Sequence, residues 1–281
     1  MRLRTLPVSL AGVGVAWAYA MRDGVYRPLP GILCLVFALL AQIASNFANE
    51  YYDYTAGRDR AGREGPRRGV TEGDITPAAM RKATLATIGG ACCVGLSLVA
   101  WSGWWLIAVG AAVAVGVFAY STGPYPLSTH GWGEVAVVAF FGLVPVNFTY
   151  YLMTGHWSTD VLLASVTFGL MGANVLIINN YRDATDDEAV GKRTLAVRWG
   201  RRTMPYLYGA DALMASLLIW PALTGMMPLW VALLVYPLPA LTVCLVMPRR
   251  TGAALTPLLG ITACIMALCA VAMIVAVRIS G

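Results

Sequence analysis

Residues 29–51 read LPGILCLVFALLAQIASNFANEY, a run that carries no charged side chain before Glu50. An α-helix needs about 20 consecutive apolar residues to cross a hydrocarbon core about 30 Å thick. The apolar residues are continuous rather than alternating, which argues against a strand of a membrane barrel. The run therefore predicts a membrane-spanning helix, and the polar residues from Asn46 onward lie at its C-terminal end.

Similar apolar runs recur along the whole chain. We predict nine spans, at 5–21, 29–51, 77–99, 102–120, 133–153, 159–181, 203–225, 228–246 and 254–277. The composition agrees, because 58% of the 281 residues are hydrophobic and only 12% are charged, about half the charged fraction of a soluble domain. The predicted fold is an all-α membrane protein, a bundle of about nine transmembrane helices around a central cavity, in a single domain over residues 1–281.

The basic residues are distributed unevenly between the two sides of this layout. Seventeen of the twenty Lys and Arg fall on the side of the N-terminus, and only Arg22, Arg27 and Arg278 fall on the other. The positive-inside rule then places the N-terminus and the two long loops, 52–76 and 182–202, in the cytoplasm. The sequence thus predicts a multi-pass protein of the cell membrane. Its net charge of +6 reflects topology, and we expect no nucleic-acid partner.

Both long loops begin with one shared pattern of polar residues, glycine and a basic residue. The first acidic frame is Asn49, Asp53, Gly57 and Arg58, and the second acidic frame is Asp183, Asp187, Gly191 and Lys192. Residues four apart share one face of a helix, so each frame presents two oxygen-bearing side chains together. The glycine can end the helix and turn the basic residue over the site.

Two such frames facing each other supply the oxygen ligands that Mg²⁺ prefers, with substrate phosphates completing its shell. The predicted metal ligands are Asn49, Asp53, Asp59, Asp183 and Asp187. The basic residues predicted to neutralise these phosphates are Arg63, Arg68, Arg182 and Lys192. We expect Asp53, Asp183, Asp187 and Lys192 to carry catalysis. The alternative is that the acids only pair with neighbouring arginines and that the cations only set the topology.

Four stretches of the chain resemble the UbiA superfamily of intramembrane prenyltransferases, which carry two aspartate-rich motifs on cytoplasmic loops. They lie at 2–7, 46–69, 120–142 and 179–200. The Gly123-Pro124 loop and the segment Lys192-x-Thr194-Leu195 resemble the MenA branch, which prenylates 1,4-dihydroxy-2-naphthoate. The chain departs from the family pattern at Glu50, where Asp is frequent, and at His130 and Trp132. No recognisable motif follows residue 203.

The resemblance implies a Mg²⁺-dependent enzyme that transfers a polyprenyl group from a prenyl diphosphate to 1,4-dihydroxy-2-naphthoate, with loss of CO₂, giving demethylmenaquinone for menaquinone biosynthesis. It also implies a lateral opening to membrane lipid for the prenyl tail. Asn46, Tyr120 and Asn180 are the candidates for contact with the acceptor or the prenyl chain.

Two alternatives stay open at this point. One is a related prenyltransferase that uses another aromatic acceptor, such as 4-hydroxybenzoate or homogentisate. The other is a polytopic transporter, which would place its coupling acids near the membrane midplane in broken helices. Because nearly all acids of this chain lie in the two long loops or at one face, the sequence favours an enzyme.

Overall fold

The computed structural model describes residues 6–24, 26–59 and 67–280. Within these ranges the chain contains helices and turns and no β-strand. The fold class predicted from the apolar runs, an all-α bundle, is therefore confirmed.

Nine helical segments cover the nine predicted spans in the described part of the chain. They are α1 (Leu6–Arg22), α2 (Pro28–Thr55), α3 (Pro77–Ser102), α4 (Leu106–Ser121), α5 (Gly133–Thr154), α6 (Thr159–Ala189), α7 (Met204–Met226), α8 (Leu229–Arg249) and α9 (Thr256–Ser280). The seven segments other than α1 and α4 are long and apolar enough to cross a membrane, and α4 is apolar but shorter. The protein is therefore an integral, multi-pass membrane protein.

The predicted C-terminal ends of two helices are wrong, because both helices are longer than expected. The second span was expected to end at residue 51 and the sixth at residue 181, but α2 continues to Thr55 and α6 to Ala189. Both acidic frames therefore begin on helix rather than in loops. A prediction based on apolar residues ends each span where charged residues begin. The backbone hydrogen bonds of a helix can continue past that point, beyond the hydrocarbon core.

Two of the segments are irregular. In α5 the residues from Val138 to Leu143 form a π-helical turn, which inserts an extra residue into the helix. In α8 the helix breaks at Tyr236, just before Pro237. Proline lacks the N–H that a continuous helix needs at that position, so a new helical piece starts there.

Helix α6 is the central element of the bundle, since 72% of its most apolar window is buried. It packs against α1, α5, α7 and α9. The backbones of α6 and α5 approach each other closely. A Cβ on Gly142 of α5 would lie only 2.6 Å from the backbone N of Gly169 on α6. Only glycine permits this approach of the two backbones, which fixes α5 relative to the second acidic frame.

A large cavity lies beside α6, enclosed mainly by α2, α4 and α5, and has a volume of about 590 Å³. Along α4 its lining extends from Leu106 to Tyr120, about 21 Å at 1.5 Å of rise per residue. Most of the lining is apolar, and its polar residues gather where α2 and α6 end. The predicted central cavity is thus present, with one polar end.

Candidate active site

The two acidic frames end their helices with the same backbone geometry. Arg58 N donates to Asp53 O at 2.8 Å, and Lys192 N donates to Asp187 O at 2.9 Å. The preceding glycines adopt left-handed φ angles of 65° at Gly57 and 76° at Gly191. Because a left-handed residue after the last turn is a common way to end a helix, the glycines end both helices as the sequence predicted.

The two frames meet across a small polar pocket. Lys192 Nζ lies 3.0 Å from Asp53 Oδ2 of the first frame and 3.9 Å from Asp187 Oδ1 of its own frame. All three side chains are buried. A lysine that follows the second glycine thus bridges carboxylates from both helices. The predicted convergence of the frames is present in the structure.

The first frame is held by Arg68, which is buried and reaches Asn49 and Asp53 of the frame and the nearby Asp59. Its guanidinium lies 3.5 Å from Asp53 Oδ2 and 3.5 Å from Asp59 Oδ2, and it donates to Asn49 Oδ1 at 3.3 Å. Asp59 also accepts from Thr71 Oγ1 at 2.7 Å. Asp59 lies behind Arg68 and is absent from the described lining of the polar pocket. Asn49 and Asp53 do line it.

One acid of the second frame, Asp183, forms an ion pair with the adjacent Arg182. Arg182 Nε donates to Asp183 Oδ1 at 2.6 Å, and a second nitrogen of Arg182 donates to Asp183 Oδ2 at 2.9 Å. Arg182 also donates to Asn179 Oδ1 at 2.9 Å, and it lines the large cavity. Arg182 is therefore bound to one of the predicted metal ligands and faces the cavity rather than the polar pocket.

A buried carboxylate that belongs to neither frame also lines the polar pocket. Glu134, at the start of α5, accepts a hydrogen bond from Asn180 Nδ2 through Oε1 at 2.8 Å. Its other oxygen, Oε2, is buried and has no hydrogen-bond partner among the described residues. Sequence comparison of the two frames could not find Glu134, because it has no counterpart in either of them.

The polar pocket and the large cavity are joined. Both are lined by Asn49, Tyr120, Leu176 and Asn179. Asn46 lines the cavity one helical turn before Asn49, and its Nδ2 has no partner among the described residues. The site therefore consists of a charged pocket at the mouth of a long apolar cavity.

The donor set fits a divalent cation that is held partly by a phosphate ligand. No three His, Cys, Asp or Glu side chains in residues 6–24, 26–59 and 67–280 form a metal site by themselves. Asp53 Oδ1 is nevertheless buried and has no hydrogen-bond partner in the described part of the chain, and Asp183 and Asp187 line the same pocket. Mg²⁺ usually takes one or two carboxylates and completes its shell with waters and substrate phosphates, which matches this arrangement.

Two further contacts fix the segment that carries Arg68. Glu50 Oε1 accepts from Val70 N at 3.0 Å, which ties the segment to α2. Arg67 forms a bidentate pair with Asp74, at 2.9 and 2.8 Å. The hydrogen bond from Arg67 lowers the pKa of the exposed Asp74 carboxyl below its usual value. Glu50, where the family often has Asp, thus has a structural contact of its own.

The model of the UbiA prenyltransferase family matches residues 11–256 of this sequence. The chain belongs to the UbiA prenyltransferase family. Among its UbiA relatives, the 1,4-dihydroxy-2-naphthoate octaprenyltransferase of Escherichia coli (strain K12) is 34% identical, over 92% of this chain and 87% of its own length. The enzyme of the same name from Mycobacterium leprae (strain TN) is 33% identical, over 100% and 95%.

Solved UbiA structures share the fold. The apo structure of a UbiA homolog from Aeropyrum pernix K1 superposes with a TM-score of 0.74 at 15% identity and covers 98% of both chains. A UbiA homolog from Archaeoglobus fulgidus, bound to DMAPP and Mg²⁺, gives a TM-score of 0.64 at 16% identity, covering 97% of this chain and 98% of that one. At these identities the likeness concerns the fold alone.

Most of the predicted site residues converge in the structure. The polar pocket brings together Asn49, Asp53, Arg68, Tyr120, Asn180, Asp183, Asp187 and Lys192. Arg182 and Asn46 line the adjoining cavity, and Asp59 lies behind Arg68. Arg63 falls outside the described residues.

Proposed function

We propose that this protein transfers a polyprenyl group from a prenyl diphosphate to 1,4-dihydroxy-2-naphthoate, with loss of CO₂, giving the quinol form of demethylmenaquinone. The observation that carries the proposal is the junction of a charged pocket with a long apolar cavity, bridged by Lys192 between Asp53 and Asp187. A prenyl diphosphate has the same division into a polyanionic head and a long apolar tail. The names of the curated relatives support the naphthoate acceptor.

The diphosphate is proposed to lie between the two acidic frames, with Mg²⁺ as the cofactor. Asp53, Asp183 and Asp187 would hold the metal, with Asn49 as a supporting ligand. When bound, Mg²⁺ supplies Lewis-acid stabilisation of the charge on the diphosphate. Asp59 is not proposed to bind the metal directly. It contacts Arg68, which lies between Asp59 and the pocket.

Cationic side chains assist the departure of the diphosphate. Lys192 and Arg68 are buried beside the pocket, where a fixed charge acts more strongly than it does in water. Both cations contact Asp53, and Lys192 also lies 3.9 Å from Asp187, so their charges stand beside the carboxylates that would hold the metal and in the pocket proposed for the phosphate oxygens. Arg63, which lies five residues before Arg68 in the sequence, is also proposed to bind the diphosphate.

The acceptor is proposed to bind on the side of the pocket lined by Tyr120, Asn180 and Glu134. Glu134 Oε2, which has no hydrogen-bond partner among the residues that the structure describes, can accept a hydrogen bond from a ring hydroxyl and so increase the electron density of the ring. When the allylic C–O bond breaks, its electron pair leaves with the diphosphate, and the ring carbon forms the new C–C bond. Loss of the carboxylate as CO₂ returns an electron pair to the ring and restores its aromaticity.

The charge distribution supports a site on the cytoplasmic side of the cell inner membrane, with the prenyl tail among lipid-embedded helices. Arg182 remains a candidate for the diphosphate, although its pairing with Asp183 also suits it to hold Asn179 and Asp183 in place.

The test is product formation by purified protein in detergent. With Mg²⁺, geranylgeranyl diphosphate and 1,4-dihydroxy-2-naphthoate, we expect one prenylated naphthoquinol, one CO₂ and one diphosphate per turnover, detected by mass spectrometry and a diphosphate assay. With 4-hydroxybenzoate or homogentisate we expect no product. Faster turnover of either of these acceptors would assign the protein to another acceptor class. A transporter would consume no prenyl diphosphate with any of them.

A further inference from the structure

One pair of residues forms a tight contact in the wall of the large cavity near its polar end. Gly116 on α4 and Phe140 in the π-helical turn of α5 both line the cavity and contact each other. A Cβ added to Gly116 would lie 2.8 Å from Cε2 and 2.9 Å from Cε1 of the Phe140 ring. The ring thus occupies the space that any larger residue at 116 would need.

This contact lies early on the path of a tail that enters from the polar pocket. Gly116 is one helical turn from Tyr120, which lines both the pocket and the cavity. At 1.5 Å of rise per residue, Gly116 and its contact with Phe140 lie about 6 Å from Tyr120 along α4. The cavity continues beyond this contact past Gly110 to Leu106, about 15 Å further along α4.

Packing contacts hold both helices in place at this point. Next to Gly116, Val117 packs into a buried cluster with Ala44 and Ala48, which ties α4 to α2. Two residues after Phe140, Gly142 lies against the backbone of α6, where a Cβ would come within 2.6 Å of Gly169 N. The free space beside the Phe140 ring is the cavity itself.

We propose that the contact between Gly116 and Phe140 sets the width of the large cavity where the prenyl tail passes, and thereby determines which donor lengths the enzyme uses efficiently. This inference rests on the proposed prenyl transfer. Gly116 keeps the ring flush with the wall and the cavity open. Any side chain at 116 displaces the ring into the path of the tail, while the charged pocket, about one helical turn away, keeps its residues.

The experiment compares donor-length profiles of purified variants in detergent. Each is assayed with 1,4-dihydroxy-2-naphthoate and dimethylallyl, geranyl, farnesyl and geranylgeranyl diphosphates. The readout is kcat/KM for each donor relative to the shortest donor that the wild type uses. The matched control is Gly89→Ala, which adds the same methyl group to a glycine of α3 outside the described lining of the cavity, where a Cβ meets nothing within 4 Å.

In Gly116→Ala we expect the preference for geranylgeranyl over the shortest donor to fall by about 10-fold or more, the scale of one methylene in an apolar pocket. Gly89→Ala should keep the wild-type profile. Phe140→Leu in the Gly116→Ala background should restore long donors, because a smaller side chain leaves room for the new methyl group. Phe140→Trp, which leaves Gly116 intact, should reproduce the loss if Gly116→Ala does not fold.

An equal loss for all donors in both Gly116→Ala and Phe140→Trp would overturn the proposal, as would the same shift in Gly89→Ala. These outcomes differ from a failure of the proposed function, in which the wild-type protein forms no prenylated naphthoquinol from any donor.

Discussion

Replacement of Lys192 by alanine tests the electrostatics of the site. Lys192 is the one residue that contacts carboxylates of both acidic frames within the described chain, at 3.0 Å from Asp53 and 3.9 Å from Asp187. Removing it deletes a buried cation and leaves the two acids in place. The acids alone should attract Mg²⁺ at least as well as before, whereas the leaving diphosphate loses a counter-charge.

The expected size of the effect follows from the geometry. Two unit charges 3.0 Å apart, the Lys192 Nζ to Asp53 Oδ2 distance, interact by about 5–6 kcal/mol at an effective dielectric constant near 20. Only the part of that interaction that grows between the ground state and the transition state accelerates the reaction. If about half a unit charge develops on the bridging oxygen near Lys192, the loss is about 3 kcal/mol, or about 10²-fold in rate.

The assay is single-turnover formation of the prenylated product at saturating Mg²⁺. Lys192→Ala should lower the rate about 10²-fold, leave the acceptor KM within about 2-fold, and leave the Mg²⁺ requirement unchanged or lower. Arg193→Ala is the matched control. It removes the neighbouring cation, whose side chain is exposed, and should retain the wild-type rate. A wild-type rate in Lys192→Ala, or a defect confined to acceptor binding, would refute the reasoning.

Three further predictions follow from the site and the topology. Asp183→Ala should abolish Mg²⁺-dependent turnover while the protein still elutes as a folded species in detergent, and near-normal activity at saturating Mg²⁺ would contradict its assignment as a ligand. Glu134→Gln should raise the acceptor KM by about 10-fold, the worth of one hydrogen bond to a charged group, and an equal rise in the donor KM would count against acceptor binding there. In a background without native cysteines, Thr159→Cys should be labelled from outside intact cells and Arg193→Cys only after permeabilisation, and the reverse pattern would invert the topology.

The elements that the sequence predicts well are those set by local physics. Apolar runs locate all nine helices, because membrane burial leaves little freedom in composition. Gly57 and Gly191 end their helices as predicted, because a left-handed residue after the last turn favours glycine. The shared four-residue spacing also correctly places Asp53 and Asp187 on the faces that meet.

Other features depend on tertiary contacts that no local pattern records. The partner of Arg182 is the adjacent Asp183, while Lys192 reaches Asp53, 139 residues away in sequence. Glu134 faces the pocket only because α5 packs against α6.

The irregular turn in α5 also had no sequence signal. The π-helical turn from Val138 to Leu143 lies in a run of apolar residues that fits an ordinary helix equally well. Its presence follows from packing, because Gly142 sits against the backbone of α6 while Phe140 remains on the cavity wall. Residues that shape the cavity are therefore visible only in the folded chain.

The central claim is that the two acidic frames form one site, which is completed by the diphosphate of the donor. It is tested most directly by titrating the purified protein with Mn²⁺ in place of Mg²⁺ and following bound metal by electron paramagnetic resonance, with and without a non-hydrolysable prenyl diphosphate analogue. We predict tight Mn²⁺ binding only when the analogue is present, and loss of that binding both in Asp53→Ala and in Asp187→Ala, one variant from each frame. Equally tight Mn²⁺ binding without the analogue, or binding that survives either substitution, would contradict the account.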